Sequence, residues 1–112
     1  MNIQKLYRAV SQVEYDDWLG NGFQTSNNTL EVKQFFRSRR AVDDFIKQSK
    51  KLFTPPYIFI IEVQVPRSSL DLLGVDFIEL DTHEAVSVDE ALLPEFNNCI
   101  TFTIRYDIWS SI

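Results

Sequence analysis

The chain has 112 residues, 45% of them hydrophobic and 13% aromatic, enough for one buried core, and residues 1–112 read as a single domain. Its 16 acidic and 11 basic residues give a formal net charge of -5, which argues against a nucleic-acid partner. A lone cysteine (Cys99) and a lone histidine (His83) exclude an internal disulfide and a zinc site of the usual His/Cys type.

No apolar run at the N-terminus suits a signal peptide, and no stretch reaches the roughly 18 apolar residues of a membrane span. The expectation is a soluble protein with no membrane partner, either cytoplasmic or delivered as an effector.

Lys5 to Val10 has strand alternation, with Leu6, Arg8 and Val10 on one side and Tyr7 and Ala9 on the other. A helix follows. Ser11 and Glu14 have capping-box spacing, Val10 and Tyr15 that of a hydrophobic staple, and Gly20-Asn21-Gly22 supplies the stop. Phe23 to Glu31 reads as a polar, turn-prone loop.

Val32 to Phe36 is the second predicted strand, and Ser38 is the predicted N-cap of the next helix. Val42, Phe45, Ile46, Ser49, Leu52 and Phe53 follow helical spacing and predict one packed face. Thr54-Pro55-Pro56 ends that helix and admits a long strand from Tyr57 to Val65, apolar on both sides in its first half and polar on one side in its second.

Ser68 to Gly74 suits a single helical turn, and Asp76 to Leu80 and Glu84 to Val88 read as short strands. Asp89 to Leu93 reads as a capped turn that Pro94 closes. A final alternating strand covers Ile100 to Ile108, with Cys99 as a small buried packing residue beside it. Strands outnumber helices and the helices come early, which predicts an α+β domain with a mixed or split sheet.

Three places carry candidate chemistry. Arg37, Arg39 and Arg40 crowd the start of the second helix, where cations oppose the helix dipole. They either hold a phosphate together with the free N–H groups or are solvated and offset by Asp43 and Asp44. Arg8 sits between apolar neighbours and needs an anion or the surface for its head group. Glu84 opens a strand on the side of Val86 and Val88, a position from which a carboxylate can stabilise developing positive charge.

The succession LYRAVS, VKQFFRSRRAVDDFI, YIFIIEVQVP and HEAVSVDEALLP resembles the order of elements in the ADP-ribosyltransferase-like fold, in particular the small C-terminal domains of bacterial polymorphic toxins. The resemblance implies a split mixed or antiparallel sheet with two main helices early in the chain. It also implies an NAD-cleaving transferase or glycohydrolase of the toxin or effector kind, with NAD as substrate and no metal.

On this reading Arg8 and Tyr7 bind the dinucleotide, Phe35, Phe36, Ser38 and Arg40 wall its pocket, and Glu84 is catalytic. Thr82 stands two residues before Glu84 where arginine-modifying members carry Glu or Gln, which points away from arginine as acceptor. The acceptor is otherwise open, a protein or water, and a cognate neutralising protein is the implied partner. The second motif lacks the full Ser-Thr-Ser and the usual tyrosine, so the other reading is a non-catalytic binding or protein-interaction module that keeps the fold.

Overall fold

The computed structural model describes residues 2–24, 32–52, 57–80 and 82–108, with backbone alone over 49–52. Its elements run β1 (Ile3–Ser11), α1 (Gln12–Asn21), β2 (Val32–Phe36), α2 (Arg39–Leu52), β3 (Tyr57–Pro66), α3 (Arg67–Leu73), β4 (Asp76–Leu80), β5 (His83–Asp89), a 3-10 turn (Glu90–Leu92), α4 (Leu93–Cys99) and β6 (Phe102–Asp107). The strands form one six-stranded sheet in the order β4-β5-β2-β1-β3-β6. Every neighbouring pair is antiparallel, so the domain is α+β as expected and the sheet is not mixed.

Strand alternation divides the core in two. Leu6, Val10, Phe35, Ile61, Val63, Val86 and Val88 point to one face, where they pack with Phe23, Leu70, Leu93 and Phe96. Tyr7, Ala9, Phe36, Ile60 and Ala85 point to the other, beneath Ala41, Val42 and Ile46 of α2. Thus α2 covers one face while α1, α3 and α4 share the opposite one. The apolar spacing of α2 produces this packing through Val42, Phe45 and Ile46; the side chains at 49–53 lie outside the described residues.

The sheet has a seam. β1 and β3 pair along their whole length, from Ile3 opposite Pro66 to Ser11 opposite Tyr57, with a bulge at Val10/Ser11. β1 and β2 meet in register at Tyr7 and Phe36 alone among the described residues. Two well-laddered halves, β4-β5-β2 and β1-β3-β6, are therefore joined at a narrow centre.

Several local expectations need correcting. Phe23, assigned to a polar loop, is 2% exposed and edge-on to Phe35. Residues 25–31 of that loop lie outside the described residues. The stretch after Val65 gives two helical turns rather than one, ended by Gly74 in the left-handed region (φ 73). Pro94 opens α4 instead of closing a turn, because a first-turn position needs no N–H from it. Cys99 ends that helix, half-buried, rather than flanking a strand. Phe102, expected on a buried strand face, is 53% exposed because β6 is an outer strand.

Candidate functional site

Arg8 projects from β1 onto the face that carries Phe35, its guanidinium 5.9 Å from that ring. Its Nε and Nη2 donate to the Glu14 carboxylate at 2.6 and 3.2 Å, and its Nη1 donates to the Gln34 carbonyl at 2.9 Å. That last bond crosses the seam. The guanidinium reaches a β2 carbonyl beyond the single point of strand register, so a side chain joins the two half-sheets where the ladder does not.

Glu14 comes to this place through its helix start. The Ser11 hydroxyl accepts from the Glu14 N–H at 3.2 Å, which is half of a capping box. The other half is not made with the carboxylate, which serves Arg8 and also Lys33 Nζ at 3.3 Å. Burial works to raise the Glu14 pKa, but the hydrogen bond and charge of Arg8, with those of Lys33, outweigh it and hold the carboxyl below the usual range. Lys33 is pushed down from the usual lysine value by burial first and then by Arg8. Two cations thus converge on one carboxylate at the seam.

The other candidates are dispersed. Phe35 and Phe36 are consecutive on a strand and lie on opposite faces, Phe35 in the α1/α3/α4 layer and Phe36 against Phe45 under α2. Ser38 caps α2, its hydroxyl accepting from the Ala41 N–H at 3.1 Å. Arg40 is exposed. Glu84 shares a face with Val86, yet its side chain is 77% exposed and turns to Arg37 Nη1 at 3.3 Å. Thr82, two residues before it, has φ 68, an unfavourable conformation for a β-branched residue.

Tyr7 lies opposite a residue that sequence reasoning passed over. Glu62 is 3% exposed in the middle of β3, level with Tyr7 on β1 and Ile104 on β6. It accepts from the Tyr106 hydroxyl at 2.9 Å and the Gln64 amide at 3.0 Å. The Arg39 guanidinium lies 4.4 Å from the Tyr106 ring centre. Burial and the Glu62 charge raise the Tyr7 pKa, and the hydrogen bond to Glu62 raises that of Tyr106. Both shifts favour the protonated phenol, and Tyr106 donates its proton to Glu62. The one sequence signal was a carboxylate inside the apolar run YIFIIEVQV.

Cavity volumes bear on what fits. Where β1 and β2 part, a cavity of about 70 Å³ opens under α2, lined by two of the predicted site residues, Arg8 and Phe36, together with Ala9, Gln34, Phe45 and Tyr57 among others. It holds water-sized groups, well short of the roughly 300 Å³ at which ligand pockets begin. A larger hollow of about 330 Å³ lies between the end of α1 and α4, beside Phe23 and Asn97, and contains none of the predicted site residues. Among the described residues no His/Cys/Asp/Glu group is placed to hold a metal ion. No helix there is long and apolar enough to cross a membrane.

Comparison with known protein families, with curated proteins and with solved structures finds no match to this chain.

Proposed function

We propose that the chain is a non-catalytic interaction module built on an ADP-ribosyltransferase-like sheet. The observation that carries this reading is the state of Arg8. The arginine that would receive a dinucleotide already donates from Nε, Nη1 and Nη2 to Glu14 and the Gln34 carbonyl. Its role here is to stitch β1 to β2. The outward turn of Glu84 toward Arg37 and the small volume at the seam support the same conclusion.

The test is nicotinamide release by the purified protein, with calorimetric titration of NAD to millimolar concentration. The module reading expects no turnover. Release that disappears in Glu84→Gln while the fold is kept would overturn it.

One observation favours the alternative, an NAD-cleaving transferase or glycohydrolase. The three strands bearing the family-like motifs, β1, β2 and β5, are neighbours at the centre of the sheet, and strand alternation gives Arg8, Phe35 and Glu84 a common face. The seam between the half-sheets also suits a split sheet. In that reading Arg8 exchanges Glu14 for the dinucleotide. Glu84 then holds the nicotinamide ribose hydroxyl and stabilises the oxocarbenium-like transition state as nicotinamide leaves and ADP-ribose passes to a protein acceptor or to water.

A further inference from the structure

β4 is an outer strand of the sheet that pairs with β5 alone, and on one of its faces the guanidiniums of Arg67 and Arg37 lie 4.3 and 5.2 Å from the Phe77 ring centre. Its outward backbone groups are therefore a ready template for another strand. From 68 to 104 the sequence contains no lysine or arginine, while half of the chain's 16 acidic residues fall there. Two nearby carboxylates are matched: Asp71 by Arg67 at 3.4 Å and Glu84 by Arg37 at 3.3 Å. Asp76 and Glu79, both exposed and both on β4, have no ion-pair partner among the described residues.

The placement of two of these carboxylates adds to that charge excess. Glu79 lies directly opposite Glu84 in the β4–β5 register, and like charges placed so are destabilising. Arg37 reaches Glu84, which leaves the edge carboxylate Glu79 without a cation. Phe77, Ile78 and Leu80 complete the strand, with Phe77 37% exposed.

We propose that the β4 edge is the docking surface of the module, and that its partner is an extended basic segment of another protein that adds as a seventh strand. For a segment added antiparallel, as every pair in this sheet is, the β4 sequence sets the chemistry: cations opposite Asp76 and Glu79 and apolar side chains opposite Phe77, Ile78 and Leu80, hence apolar-cation-apolar-apolar-cation. Backbone bonds supply affinity and the two cations supply selectivity.

The inference rests on the interaction-module reading, and its test uses the whole chain. Two short synthetic peptides are titrated, one with Val-Lys-Val-Val-Lys at its centre and one with glutamate in place of both lysines, while backbone amide shifts are followed by NMR. The lysine peptide is expected to bind at least about tenfold more tightly, with shifts concentrated over 76–80 and affinity falling as salt rises. Asp76→Lys with Glu79→Lys, both at exposed positions, is expected to reverse the preference without altering the circular dichroism. No binding, equal binding of the two peptides, or shifts centred elsewhere would overturn the proposal. Nicotinamide release would remove the module reading and leave the peptide result standing, whereas peptide failure with NAD inert removes the docking surface alone.

Discussion

Replacing Glu14 with glutamine tests whether the seam depends on side chains. The carboxylate takes Arg8 at 2.6 and 3.2 Å and Lys33 at 3.3 Å, with the Glu14, Arg8 and Lys33 side chains 23%, 24% and 12% exposed. Charge-assisted bonds are worth about 1.5–3 kcal/mol when partly buried, and exposed pairs under about 1. Glutamine keeps the shape and one acceptor but leaves two cations facing each other, so the loss should be about 2 kcal/mol, or roughly 8 °C in Tm for a domain of this size.

The variant should also change the acid limb. The folded carboxyl pKa is below the ordinary 4.5, so the unfolded chain binds the proton first as pH falls. Wild type therefore keeps this stabilisation above 4.5 and loses it as pH falls through the lowered value, while Glu14→Gln has none to lose. Calorimetric melts across that range measure both effects. A Tm change under about 2 °C, or an unaltered acid limb, would refute the account.

Two further substitutions probe neighbouring parts. Lys33→Met removes a cation that burial and Arg8 disfavour, so stability at neutral pH should fall by no more than about 1 kcal/mol and can rise. In wild type the unfolded state holds the extra proton between the lowered folded pKa and 10.5, so stability climbs with pH through that window. Urea midpoints should show that climb in wild type and not in the variant. Asn97→Ala removes a two-way clasp, in which Oδ1 accepts from the Phe23 N–H and Nδ2 donates to the Phe23 carbonyl, both at 2.9 Å. About 2 kcal/mol should be lost, measured by chemical denaturation, and a loss under about 0.5 kcal/mol would contradict the clasp.

Periodicity made most of the elements legible. Six strands in α+β order, the Ser11 and Ser38 caps and the buried face of α2 all followed from spacing between neighbouring residues. The opposite orientation of Phe35 and Phe36 was equally readable, since adjacent strand residues alternate. Glu62 was not. Its burial depends on Tyr7 arriving level with it from β1 and Tyr106 reaching it from two residues along β6, and that register is a long-range property. Arg8 shows the same limit. Its need for an anion was evident, but that Glu14, six residues on, would meet it depended on the helix turning back across the strand. Phe23 was misplaced because polar neighbours hid a ring whose partners, Phe35 and Phe96, come from β2 and α4.

The narrow junction between β1 and β2 has a mechanical consequence. Force applied along the other strand pairs must shear or unzip runs of backbone bonds, but force applied across the centre meets, among the described residues, one point of strand register, the guanidinium bonds of Arg8 to the Gln34 carbonyl and Arg37 to the Gln4 side chain, and the packing of the two core layers. The backbone ladder is therefore sparsest along a line through the middle of the sheet, where side chains carry the join. A load carried in through β4 would travel along β5 and β2 and arrive at Arg8.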